Sequence, residues 1–198
     1  MKSRSPLSLF LCSFIFLLFS CQAENEFSVW PCRFAYDNSI GQDATLATAM
    51  EANARGVFCQ ITESTMGGVK YLNFSNNQNL TSQKRETALE QQADFVLGLN
   101  NGVIVGFQTF VTDGFGSGFI AYDVQCPNCV RRENNTISPN YRIVMSSTGI
   151  ATCSKCGLKY DLNNGGLVQN GQQGDKGLEK YAASTTGPFG YVSVFRKQ

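Results

Sequence analysis

Two short cysteine units constrain this chain more than any other feature. They are Cys126-Pro127-Asn128-Cys129 and Cys153-Ser154-Lys155-Cys156, with 23 residues between the pairs and no histidine anywhere in the sequence. Two C-x2-C units at such a separation are the pattern of a tetrahedral four-thiolate metal site. Each turn aims two sulfurs at one point while its backbone N–H groups donate to them, and two facing turns close the tetrahedron. Gly157, directly after the second pair, suits the tight bend that such a knuckle requires. Arg131, Arg132, Lys155 and Lys159 lie close by in sequence, placed to offset the negative charge of four thiolates. Two other readings of these cysteines stay open. They are disulfides, local or cross-linking, which export would favour, and a redox-active dithiol. A dithiol of the thioredoxin type opens a helix after a strand, whereas both pairs here are expected in turns at strand ends.

The missing histidine excludes Ser-His-Asp and Cys-His catalysis, His-containing zinc sites and imidazole proton shuttling. Acidic residues are scattered: Asp43 reads as a helix cap and Asp161 as a turn residue, so no acid–base pair stands out and the chain is expected not to be an enzyme. Gly114-Phe115-Gly116-Ser117-Gly118 lies between strands and opens no helix, which argues against a phosphate loop. The net charge is +1 with no basic stripe, so no nucleic-acid partner is expected.

The N-terminus reads as a targeting segment. Lys2 and Arg4 precede an apolar run over residues 7–19 that is too short to span a bilayer comfortably. It ends in Leu18-Phe19-Ser20-Cys21, which resembles the lipobox of bacterial lipoproteins, where the cysteine is acylated and becomes the mature N-terminus. Residues 1–21 are therefore expected to be a lipoprotein signal peptide, with Cys21 the lipid attachment site. The expected location is the cell envelope, periplasmic or surface-exposed, with the membrane as one partner and an unidentified protein as another. Residues 22–66 read as a polar tether and an N-terminal extension.

Within that extension, residues 28–36 and 57–63 read as strands. Between them Asp43 caps a short helix that carries Leu46, Ala47, Met50 and Ala54 and ends at Gly56. Cys32 and Cys59, one in each strand, are a possible disulfide in an exported protein, or else two buried thiols. Residues 69–74 read as a third strand and 81–94 as a polar connector. Residues 95–99 and 103–107 flank Asn100-Asn101-Gly102, a hairpin signature. Further strands are expected at 119–124, 141–145, 178–181 and 191–195, with turns at Thr148-Gly149 and Asn163-Asn164-Gly165. Short strands at this spacing, with 15 Phe, 7 Tyr and 19 Gly among 198 residues, point to an all-β antiparallel sandwich or small barrel.

The cysteine region resembles a Rieske iron–sulfur domain. The first ligand hairpin follows a strand like Ala121-Tyr122-Asp123-Val124-Gln125-Cys126-Pro127. The second reads like Cys156-Gly157-Leu158-Lys159-Tyr160-Asp161-Leu162-Asn163-Asn164-Gly165. The likeness covers residues 67–198 and implies a Rieske-like β scaffold with two ligand hairpins, the N-terminal extension adding a short α/β piece. It also implies that a Pro-containing loop covers the site, and Gly187-Pro188-Phe189-Gly190 is the segment placed to do so. Rieske centres use two Cys and two His; here Cys129 and Cys156 stand where the histidines would be, so a true Rieske cluster cannot form. Zinc is the expected ion at Cys126, Cys129, Cys153 and Cys156, with a single iron or an all-cysteine [2Fe–2S] cluster as the alternative. Such a cluster would be a much stronger reductant without the imidazoles. The expected function is then a non-catalytic envelope role around a structural zinc, or alternatively electron transfer.

Overall fold

The computed structural model describes residues 27–110 and 118–197. The expected signal segment, Cys21 as its expected lipid attachment site, and most of the glycine-rich stretch after Phe110 lie outside the described residues. The chain is all-β and antiparallel, with a few short helices. In order these are strand β1 (Arg33–Asp37), helices α1 (Asn38–Gly41) and α2 (Ala44–Ala49), then strands β2 (Phe58–Met66), β3 (Val69–Asn76) and β4 (Thr81–Arg85), and helix α3 (Ala88–Ala93). Strands β5 (Val103–Phe107) and β6 (Phe119–Asp123) lead into helix α4 (Pro127–Arg132) and a 3-10 turn at Pro139–Tyr141. Strands β7 (Ile143–Met145), β8 (Ile150–Cys153), β9 (Lys159–Asp161), β10 (Leu167–Val168), β11 (Lys180–Thr185) and β12 (Tyr191–Phe195) complete the chain.

Eight strands form one curled sheet in the order β1-β12-β11-β6-β5-β2-β3-β4, and four form a small second sheet, β10-β9-β8-β7. The central strands β5 and β6 are buried at every position, and alternation along them feeds two separate cores. Val103, Val105, Phe107, Phe119 and Ala121 join one core with Leu46 and Met50 of the α2 segment and Phe34 and Tyr36 of β1. Ile104, Ile120 and Tyr122 face the other way, with Phe58 of β2, into a second core shared with the small sheet. An antiparallel strand reads as a continuous apolar run only when both faces are covered, which is why Val-Ile-Val and Phe-Ile-Ala-Tyr show no polar alternation.

Several expectations need correction. Residues 27–66 are not an added extension: β1 pairs with β12, and β2 lies between β3 and β5 inside the large sheet. A boundary at 66/67 would fall within the tight β2–β3 hairpin, where Met66 pairs Val69. Residues 95–99 do not pair with β5; Val96 bridges Arg33 instead, closing the β1 edge. Part of the polar connector is β4, an edge strand paired along its length to β3. The helix after the Asp43 cap, whose carboxylate accepts Leu46 N–H at 2.9 Å, ends at Met50 rather than near Gly56.

Phe58 joins the layers: its ring lies 6.5 Å from Tyr122 in a tilted arrangement and is fully buried in the second core. Phe58→Ala is expected to cost about 3–5 kcal/mol through lost burial and an unfilled cavity, read by chemical denaturation. A loss below about 1 kcal/mol would mean the two layers are not coupled through this ring.

Candidate metal centre

The four cysteines meet in the second core. Cys126 follows β6 and is the N-cap of α4, Cys129 lies on the first turn of α4, Cys153 ends β8, and Cys156 sits in the turn before β9. All four sulfurs lie within 4.8 Å of one another. Cys126 Sγ is 3.7 Å from Cys156 Sγ, and Cys129 Sγ is 3.7 Å from Cys153 Sγ, so the contacts cross between the two units. Cys126 and Cys153 are completely buried and Cys129 nearly so; Cys156 is half-buried at the rim.

Local backbone explains the convergence. Cys129 N–H donates to the Cys126 sulfur, and the N–H groups of Lys155 and Cys156 donate to the Cys153 sulfur. Gly157 follows with φ 72° and donates its N–H to the Cys153 carbonyl at 2.9 Å, a left-handed bend that a glycine adopts without strain. The second unit is thus the expected knuckle at a strand end. The first is not: it opens helix α4 after a strand, with Pro127 at the first helical position and Arg131 and Arg132 in the last turn. That placement corrects the expectation of two turns and revives the comparison with a redox dithiol. Burial argues against the dithiol. A reactive pair needs an exposed sulfur of lowered pKa, whereas Cys126 has no exposure and its thiol is held above the ordinary range, first by donating to Cys153 and then by burial. Burial likewise pushes Cys129 up to about 12. Cys153, accepting from Cys126, is pulled down to about 5.

Two residues that sequence reasoning missed fix the cysteine loops in place. Asn128, inside the first C-x2-C, is fully buried and uses every valence of its amide. Its Nδ2 donates to the Tyr160 hydroxyl at 3.1 Å and the Lys176 carbonyl at 2.8 Å; its Oδ1 accepts from Lys176 N at 2.9 Å and the Arg131 guanidinium at 3.2 Å. Since the Tyr160 oxygen accepts from Asn128, its own proton is free for the Cys126 sulfur 3.0 Å away. The signals were present: Leu158, Tyr160 and Leu162 alternate towards the core, and a buried tyrosine hydroxyl needs a partner. The loop lying against the cysteines is the stretch around Lys176, pinned further by Arg131 to the Gly174 carbonyl at 2.7 Å and Arg132 to Asp175 at 2.6 Å. The Gly187-Pro188-Phe189-Gly190 segment expected to cover them lies elsewhere. Its Pro188 and Gly190 carbonyls accept from Asn38 at the start of α1.

Cys32 and Cys59 are free, buried thiols, so the disulfide considered for them is not formed. They have different surroundings: Cys32 lies beside Gly98 and Asp123, Cys59 beside Asp43 and Ser75. Burial drives both thiols up, Cys32 to about 12.

Asp123 anchors the start of the first ligand loop. Its carboxylate accepts Gln125 N–H at 2.7 Å, Leu99 N–H at 2.8 Å and the Tyr181 hydroxyl at 2.7 Å. Burial outweighs these donors and raises its pKa to about 6. No protein-family model matches the chain, and no curated protein or solved structure matches it significantly.

Two outcomes are expected. Asn128→Ala leaves the thiolates in place but frees the loop and the Tyr160 hydroxyl, so metal affinity should fall roughly 10–100-fold in competition with a chromophoric chelator; unchanged affinity would make Asn128 a packing residue only. The folded state binds the Asp123 proton more tightly than the unfolded chain, so this group's contribution is fully present below about pH 4. It is lost as pH rises to about 6, by about 3 kcal/mol in all. The stability of wild type relative to Asp123→Asn should fall by that order between pH 4 and 7, and a difference flat with pH would contradict the assignment.

Proposed function

We propose that this is an exported, lipid-anchored envelope protein whose Cys126, Cys129, Cys153 and Cys156 hold one tetrahedral zinc ion as a structural staple, without catalytic chemistry. The observation that carries the metal is the size of the sulfur cage. A Zn–S bond of about 2.3 Å sets tetrahedral S–S edges of about 3.8 Å, and the two cross-unit contacts are 3.7 Å each. An all-cysteine [2Fe–2S] cluster would place two irons and two sulfides between its cysteine pairs, and four sulfurs within 4.8 Å of one another are too close together for that. Zinc needs only geometry and thiolates, both supplied here.

The role follows from what the cysteines join. The second sheet has strands of three, four, three and two residues, too short to stand alone. Bound metal ties its β8–β9 turn to the β6–α4 junction of the large sheet, so binding free energy becomes folding free energy. Arg132 feels both the Asp175 carboxylate and the Cys129 and Cys156 sulfurs, which supports its sequence-level role of offsetting thiolate charge. Lipid anchoring rests on the Leu18-Phe19-Ser20-Cys21 signature, and the Rieske likeness of residues 67–198 on sequence alone. Among the described residues no helix is long and apolar enough to cross a membrane.

The test is elemental analysis and visible absorption of mature protein prepared without added metal. One zinc per chain and no colour is the expected result. Cys126→Ser should then lose the zinc and with it about 4 kcal/mol of stability, the stabilisation by a ligand present at about a thousand times its Kd, or roughly 10 °C in Tm for a chain of this size. Iron with charge-transfer bands would make the site an electron carrier instead, and a protein free of any metal would overturn the assignment.

A further inference from the structure

Both ends of the described chain meet at the β1 edge of the large sheet. Ser28 N–H donates to the Lys180 carbonyl at 2.7 Å, and Arg196 N–H to the Cys32 carbonyl at 3.1 Å. The Arg196 guanidinium reaches the Val29 carbonyl at 3.2 Å, the Lys197 ammonium sits 4.5 Å from the centre of the Phe27 ring, and Phe195 is the register partner of Arg33. Two kinds of side chain gather at this junction. Val29 is 65% and Phe195 48% exposed, with Pro31 exposed and Phe27 and Trp30 half-buried. Arg33, Arg196 and Lys197 are exposed among them.

Single exposed apolar residues are ordinary on any protein surface, so position decides what this group means. Only residues 22–26 separate Phe27 from Cys21. Five residues extend at most about 17 Å, so a chain acylated at Cys21 presents this face to the bilayer before any other. Its composition suits that placement: aromatic and apolar side chains settle at the headgroup boundary, and neighbouring Arg and Lys attract anionic lipid. Glu24 and Glu26 of the tether oppose an anionic surface, and the three cations on the body outnumber them. The exposed Asp94 carboxylate nearby is engaged by Lys70 at 3.8 Å.

We infer that this face is a membrane-docking surface, in which Val29, Trp30 and Phe195 enter the headgroup boundary and Arg33, Arg196 and Lys197 engage anionic phospholipid. The inference rests on the lipid-anchor reading and adds an orientation to it: the protein lies against the bilayer instead of swinging on its tether. Trp30 is the single tryptophan of the chain, so its fluorescence reports this face alone.

Mature, detergent-extracted protein is reconstituted into vesicles of phosphatidylcholine with or without phosphatidylglycerol. Flotation and the mass of the N-terminal peptide report the anchor, and Trp30 emission with quenching by brominated lipid reports the face. The expected result is a blue shift and quenching that grow with phosphatidylglycerol. Replacing two of the three exposed cations, Arg196→Glu with Lys197→Glu, should remove most of the phosphatidylglycerol-dependent part while the protein stays folded and the anchor still floats it. Protein that floats but shows unshifted, unquenched Trp30 overturns the docking face and leaves the anchor standing. An N-terminal peptide without an acyl chain overturns the anchor, and the docking face with it.

Discussion

The second layer of this protein depends on four sulfurs held within 4.8 Å of one another at the base of a sheet too small to persist by itself. Three of the four cysteines are withdrawn from water. Thiols crowded in this way share protons awkwardly: Cys126 and Cys129 are pushed up while Cys153 is pulled down. One cation in place of those protons would satisfy all four sulfurs at once, so the cluster could hold a metal ion. Asn128 and Tyr160 then matter because they hold ligand loops from different parts of the chain against each other.

The large sheet provides the rigid base. Residues on alternate sides of β2, β5 and β6 supply two cores, one closed by β1 and the α2 segment, the other by the cysteine layer. Loss of either cover would expose an apolar face of β5 and β6, which carry no polar alternation. The cysteine layer is therefore part of the packing of the main sheet, and its metal cage would stabilise both layers.

Much of the site was legible from the chain itself. Spacing alone picked out the four cysteines that cluster, and Gly157 marked the second knuckle. The first unit was misplaced in a turn because its helix is only six residues long and has no apolar periodicity to reveal it; Pro127 at its start and the two arginines at its end were the available signals. β4 was missed for a related reason. Thr-Ser-Gln-Lys-Arg has no buried face, and its strand conformation comes from hydrogen bonds to β3 at an open edge. The Asn101-Gly102 turn suggested a hairpin, yet Val96 found its partner in Arg33, more than sixty residues earlier in the chain.

What the sequence determined by itself was the all-β class, most strand positions, the Asp43 cap and which four cysteines come together. Each of these follows from local pattern: alternation or runs of apolar residues, a capping side chain, a fixed spacing between cysteines. Only the tertiary structure decided that residues 27–66 belong to the main sheet, that Cys32 and Cys59 stay apart, and which loop lies against the cysteines. Those outcomes depend on pairings between distant strands, where register and burial compete across the whole chain and no local pattern records the winner.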